Sequence, residues 1–140
     1  MDISYIVTPF FAWLLTGILK FLFNSIKEKR LAFDLIGYGG FPSNHSSIVA
    51  SSAAIIFFKE GIQEPSLVVA IALAFIVVLD ATSLRKQVEN HAKAINVLNS
   101  QISKTKLRER IAHTKIEVLA GLLTGVMAAW IVHSSYVAYS

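Results

Sequence analysis

The chain has 140 residues, no cysteine, 54% hydrophobic residues and a formal charge of +4. With a mean hydropathy of +0.58, it is more apolar than a soluble domain of this length needs for its core, so it reads as one integral membrane domain over residues 1–140. The missing cysteines exclude a disulfide framework, a thiolate nucleophile and a cysteine metal site. The positive charge comes without a zinc-finger, RNP or helix-turn-helix pattern, which excludes a nucleic-acid partner.

From Ile3 to about Ile26 the sequence is almost continuously apolar, long enough for a hydrocarbon core that needs roughly 20 residues. It lacks the basic start and small-residue cleavage site of a secretory signal, so it is expected to stay in place as a first membrane helix. Lys20 interrupts this span late. A lone lysine there snorkels toward the headgroups, but Lys20 and Lys27 are seven residues apart and share a helix face, which points two ammonium groups the same way.

After the polar run Lys27 to Arg30 comes Gly39-Gly40-Phe41-Pro42-Ser43-Asn44-His45-Ser46. Glycines allow close backbone approach to a ligand, proline suits a first helical turn and serine caps one, so this segment predicts a tight turn opening a helix. Free N–H groups at such a start favour an anion. The second span is predicted over about 42–62 and is short for an average bilayer, with Ser47, Ala50, Ser51 and Ala54 allowing a neighbouring helix to come close.

Gln63, Glu64 and Pro65 predict a turn, and the third span follows over about 66–84. Beyond Asp80, the residues Leu84, Val88, His91, Ile95, Leu98 and Ile102 recur at spacings of four and three, predicting an amphipathic helix over about 84–104 that leaves the membrane. It packs on its own bundle, on the membrane surface or on a second copy. A basic loop from Lys104 to Arg110 leads to the last span, about 114–139, which carries Gly121, Gly125 and Ala129 in a small-residue row suited to tight helix contact.

The expected fold is therefore an all-α membrane bundle of about four transmembrane helices with a cytoplasmic extension of the third. Lys27, Lys29, Arg30 and the run from Arg85 to Lys115 fall on one side of the four spans, and Lys59 alone falls in the opposite loop. By the positive-inside rule the crowded side is cytoplasmic, in a plasma (inner) membrane, with both termini outside. The same arrangement brings the glycine turn and His113 to one membrane face.

Two histidines on that face suggest phosphoryl chemistry, which needs a nucleophile, an acid for the leaving oxygen, and positive charge around the phosphoryl oxygens. Glu117, four residues after His113, lies on the same helix face and can fix the imidazole tautomer. Thr114 with Glu117 also matches a capping box, which assigns the same carboxylate to the helix end. Lys20, Lys27, Arg85 and Arg108 are the candidate oxyanion partners. His91 and His133 are assigned no role in the site. No HExxH or comparable spacing occurs, so neither a metal nor another cofactor is expected.

The ordered segments Lys20-x6-Lys27, Gly39 to Ser46 and His113-x3-Glu117 resemble the type 2 phosphatidic acid phosphatase superfamily, whose soluble relatives are vanadium-dependent haloperoxidases. The chain is most similar to that superfamily's small divergent branch, where a GG-hydrophobic-PSSHS turn, a DAxGVRxxxGxxAxxLN segment and a GHTPxEVxxG segment recur in order. Here the second runs from Asp80-Ala81-Thr82-Ser83-Leu84-Arg85 to Ile95-Asn96, and the third is Ala112 to Gly121. The resemblance implies that His113 is a nucleophile forming a phosphohistidine, that Glu117 orients it, and that His45 protonates the leaving alcohol. It further implies that Lys20, Ser43 and the backbone from Gly40 to Asn44 bind phosphate.

Lys27-Glu28 stands where the larger enzymes have Arg-Pro, and Leu107 stands where they have an arginine six before the histidine, so Arg85 or Arg108 would supply that charge. Ala112, Ser83 and Glu89 replace glycines of the branch. The resulting expectation is a metal-independent phosphatase acting on a lipid phosphate monoester or diphosphate among membrane lipids. A homodimer through membrane helices or the 84–102 helix would complete its cavity. The departures support an alternative, a catalytically inactive phosphatase-like protein that binds anionic headgroups or scaffolds partners. A haloperoxidase is a third reading that suits a membrane site poorly.

Overall fold

A computed structural model of the chain describes residues 2–31, 40–99, 105–109 and 111–139; Gly39, Ile102, Lys104 and Arg110 lie outside the described residues. All regular structure among the described residues is helical. The order is α1 (Ser4–Glu28), α2 (Asn44–Glu60), α3 (Pro65–Leu79), a π-helical turn (Asp80–Leu84), α4 (Arg85–Asn99) and α5 (Lys115–Tyr139). The fold is the expected all-α membrane bundle.

Local signals place the boundaries. Ser43 takes extended backbone angles and caps α2, so the helix opens at Asn44 and Pro42 precedes the cap instead of occupying the first turn. Pro65 occupies the first turn of α3, where its missing N–H costs nothing. α1 ends at Lys29 in a left-handed conformation, with the Lys29 and Arg30 amides bonded back to Ile26 and Ser25. The π turn joins α3 to α4, making one helical rod from Pro65 to Asn99.

α1, that rod and α5 are long and apolar enough to cross a membrane. α2 has 17 residues, about 25 Å at 1.5 Å per residue, shorter than a typical hydrocarbon core. It is the helix around which the others assemble, packing on α1, α3 and α5.

The bundle has its polarity reversed relative to a soluble protein. The buried residues of α1 are Ser4, Thr8, Ala12, Thr16 and Lys20, a strict four-residue stripe of small or polar side chains. Ile6, Phe10, Trp13, Leu14, Ile18 and Leu22 face outward. The same holds for α3, where Leu67 is buried while Val68, Ile71, Phe75 and Ile76 are exposed. Lipid is as apolar as leucine, so burying large side chains gains little here, and close backbone contact between small residues holds the helices together.

The closest contact is between α5 and α2. A Cβ on Gly121 would lie 2.3 Å from the Ser43 carbonyl oxygen, and one on Gly125 would lie 2.3 Å from that of Ser47. Both neighbours are backbone and cannot swing aside. Across the α1–α2 seam, Thr16 Oγ1 lies 2.7 Å from both Ser47 Oγ and the Ala12 carbonyl oxygen.

The two ends of the bundle differ. At one end Lys59 pairs with Asp2 and sits over the rings of Tyr5 and Tyr136, while the Tyr5 hydroxyl donates to Glu60. This ties together the start of α1, the end of α2 and the last turns of α5. The opposite end holds the starts of α2 and α5 and the junction of α3 with α4.

Gly125→Ala is expected to cost about 1–3 kcal/mol or more, because the new methyl must push α5 away from α2. Gly17 has open space around its Cα, and Gly17→Ala is expected to be neutral or stabilising by up to about 1 kcal/mol. Thermal unfolding in detergent, followed by circular dichroism, compares the two.

Candidate active site

The turn before α2 is built from short polar bonds. Ser43 Oγ caps the helix by accepting from the Ser46 amide at 3.4 Å, and the Ser46 hydroxyl donates to it at 3.0 Å. The Ser43 amide donates to the Glu117 carbonyl oxygen at 2.9 Å, fixing the start of α2 against the first turn of α5. Ser43 is fully buried, and its hydroxyl and N–H are both engaged inside the protein. Gly40 is also buried, and a Cβ there would meet only Asn24 Oδ1, at an ordinary 3.8 Å. Phe41 packs edge-on against Phe23 of α1 with ring centroids 4.9 Å apart. Asn44 Oδ1 is buried without a hydrogen-bond partner among the described residues.

The register set by Ser43 and Gly121 brings the two histidines together. The rings of His45 and His113 have centroids 6.5 Å apart and planes inclined at 56°. Arg85 Nη2 lies 3.5 Å from His45 Nε2, while Arg85 Nε donates to Asp80 Oδ2 at 2.8 Å. Residues five apart do not face one another on an α-helix. The wider π turn between Asp80 and Arg85 lets these two meet, and the Arg85 amide bonds back to the Asp80 carbonyl.

His113 precedes α5 and is only 8% exposed. Its amide donates to the Ala81 carbonyl oxygen at 3.2 Å. Its Nδ1 lies 3.3 Å from Glu117 Oε2, and that same oxygen accepts the Thr114 amide at 2.9 Å. The Glu117 amide in turn donates to Thr114 Oγ1 at 3.2 Å. The capping box and the histidine–carboxylate contact are therefore one structure, with a single carboxylate closing the helix end and facing the ring. Nδ1–H toward Glu117 leaves the Nε2 lone pair available.

Burial holds the His113 imidazole below the ordinary histidine range. The bond to Glu117 opposes that shift, and the charges of Lys20 and Arg85 add to it. That direction favours the neutral imidazole.

Lys20, 4% exposed, ends the buried stripe of α1 and lies within electrostatic range of both imidazoles, Glu117 and Arg108. It does not snorkel outward. Lys27 is exposed in the last turn of α1, and none of the interactions described for the two rings involves it. Arg108 is exposed in the segment 105–109. His91 is exposed on α4, and His133 packs beside Phe58 with ring centroids 5.9 Å apart, away from the site. Among the described residues no three His, Asp or Glu side chains converge as metal ligands would.

The family profile described as the divergent PAP2 family matches residues 1–128. The chain belongs to the divergent PAP2 family. The chain is also similar to the "Uncharacterized membrane protein YuiD" of Bacillus subtilis (strain 168), 27% identical over 128 residues, with 79% of this chain and 81% of that protein covered. No solved structure matches the chain. This divergent PAP2 chain is thus a membrane protein of a phosphatase-like family.

Asp80, Glu89 and Asn96 also belong to the site's surroundings, and sequence reasoning passed over all three as candidates. Glu89 and Asn96 share a helix face with Arg85, a spacing that was readable. The Asp80 pairing depends on the π turn, which leaves no periodic signal.

Histidine resonances labelled at Cε1 are expected to show His113 titrating below 6.5. Glutamine preserves the capping box but removes the charge that favours the imidazolium. Glu117→Gln is therefore expected to move the His113 midpoint lower still; a rise would contradict the assigned contact.

Proposed function

We propose that the protein hydrolyses a lipid phosphate monoester or diphosphate through a phosphohistidine intermediate, without a metal. The observation that carries this reading is the pair of imidazoles 6.5 Å apart, one facing a carboxylate and the other beside a guanidinium, with a buried lysine within electrostatic range. A phosphoryl group needs a nucleophile on one side, a proton donor on the other and cations around its equatorial oxygens, and these residue types are the ones that supply them.

In this mechanism His113 Nε2 attacks phosphorus as the P–O bond to the lipid breaks. His45, protonated when the phosphate dianion binds beside it, gives its proton to the departing oxygen, and the lipid leaves as an alcohol or, from a diphosphate, a monophosphate. Water then attacks the phosphohistidine while His45 takes its proton, and the P–N bond breaks to release inorganic phosphate and restore both rings. Glu117 holds the His113 tautomer and supports the cationic ring that forms. Lys20 and Arg85 neutralise the phosphoryl oxygens, with Asp80 holding Arg85 ready in the unloaded site. Gly40 and Asn44 frame the phosphate, with Ser43, whose own polar groups are engaged, fixing the start of α2 behind them, while Arg108 and Lys27 stand at the rim and draw in the anionic headgroup.

Among the described lysines and arginines, only Lys59, in the last turn of α2, lies at the far end, and Asp2 pairs with it. That asymmetry supports a cytoplasmic site in the plasma (inner) membrane with both termini outside. A site at the end of a bundle of helices long and apolar enough to cross a membrane supports a lipid substrate.

Purified protein is expected to release phosphate from phosphatidate, phosphatidylglycerol phosphate or an isoprenyl diphosphate in the presence of chelator, and His113→Ala is expected to abolish release. His45→Ala is expected to lower kcat roughly 10²–10⁴-fold on an alkyl ester, and much less on p-nitrophenyl phosphate, whose leaving group needs no proton. Turnover that survives His113→Ala would reject the nucleophile. Headgroup binding without turnover, unchanged in the His45/His113 double variant, would favour the non-catalytic alternative.

A further inference from the structure

α4 presents two faces, and the apolar one, with Leu84, Val88, Ile95 and Leu98, points away from the bundle. The inward face is Arg85, Glu89, Ala92 and Asn96, of which Glu89 and Ala92 are buried. We infer that Glu89 and Asn96 are positioning residues, which hold Leu107 and Ala112, ahead of α5, so that His113 and Arg108 meet the substrate in register. This rests on the reading above, in which His113 attacks and Arg108 assists binding.

Glu89 divides its two oxygens between two tasks. Oε1 accepts Lys86 Nζ at 3.0 Å and Lys93 Nζ at 2.7 Å, one helical turn to either side, and this pins the carboxylate against the helix. Oε2 is left for the Ala112 amide, 3.4 Å away. The next amide, that of His113, reaches the Ala81 carbonyl oxygen of the π turn. Two successive amides are thus held to the same helical rod, one by a side chain and one by the backbone, with the His113 side chain immediately beyond them.

Asn96 does the same for the segment around Arg108. Its Oδ1 accepts the Leu107 amide at 2.7 Å, and its Nδ2 donates to the Leu107 carbonyl oxygen at 2.8 Å and to Glu109 Oε1 at 2.7 Å. The side-chain amide copies a peptide group and satisfies both polar groups of the residue before Arg108. Aspartate keeps the acceptor, loses the donor and repels Glu109, so it is no substitute.

Steady-state phosphate release and Cε1-histidine NMR on the full chain in detergent test the inference. Displacement of a catalytic group by about 1 Å costs up to roughly 10²-fold. Glu89→Ala is therefore expected to lower kcat roughly 10- to 100-fold with little change in KM, and Glu89→Gln, whose amide oxygen still accepts the Ala112 amide, is expected to restore most of it. Asn96→Ala and Asn96→Asp are expected to raise KM while kcat changes less.

In the NMR arm, Glu89→Ala is expected to shift the His113 resonance while that of His133, beside Phe58 and away from the site, keeps its position, a selectivity that general loosening of the fold would not produce. An unmoved His113 signal in Glu89→Ala overturns the inference. So does a kcat loss shared equally by Glu89→Gln and Glu89→Ala. The NMR arm decides the matter even where wild-type protein proves inactive, and turnover in His113→Ala would refute the nucleophile without touching this result. If Glu89→Ala does not fold, the Asn96 pair carries the test through KM, with a wild-type KM in both variants as the contradicting outcome.

Discussion

The contact between α2 and α5 sets the geometry of the site. Gly121 beneath the Ser43 carbonyl and Gly125 beneath that of Ser47 let two backbones touch, and the Ser43 amide closes on the Glu117 carbonyl. Helices that approach this closely lock in register, because a slip of one residue would drive a Cβ into a carbonyl. His45 lies two residues past Ser43, and His113 four before Glu117. The spacing of the rings is therefore a consequence of helix packing, and the site forms only if the bundle does.

The inward polarity of the helices provides the electrostatics. Along the stripe of Ser, Thr, Ala and finally Lys20 on α1, the Thr8 and Thr16 hydroxyls donate to carbonyls one turn back. The stripe carries one ammonium to the interior end of the site. In so dry a place an isolated cation would be costly, and the negative charge of Glu117 lies within range. Asp80 serves Arg85 in the same way. Each cation is thus accompanied by a carboxylate, and an arriving phosphate would exchange partners with groups that are already oriented, which limits the reorganisation its binding requires.

Much of this was legible in the chain. Long apolar runs, the Ser43 cap and the Gly121, Gly125 row follow from rules about lipid, capping and close packing that need no tertiary information. Glu117 carries two sequence signals, a capping box and a histidine partner, and the structure makes these one arrangement. What could not be read depends on how helices are wound and turned. The π turn rotates everything after Asp80, so Arg85 faces His45 and the apolar stripe of α4 faces outward, while the less conspicuous row of Arg85, Glu89 and Asn96 faces in. Lys20 and Lys27 share a helix face, yet one is buried and the other exposed, because the bundle covers only the lower of the two levels. Periodicity identified the faces of α4 without saying which one the protein would use.

The most direct measurement is to quench the protein during turnover of a lipid phosphate labelled with ³²P and map the labelled peptide. The account predicts label on His113 through a bond that is labile in acid and stable in alkali, with none in His113→Ala. Turnover accompanied by label on another residue, or by no covalent label under conditions where the intermediate accumulates, would contradict it.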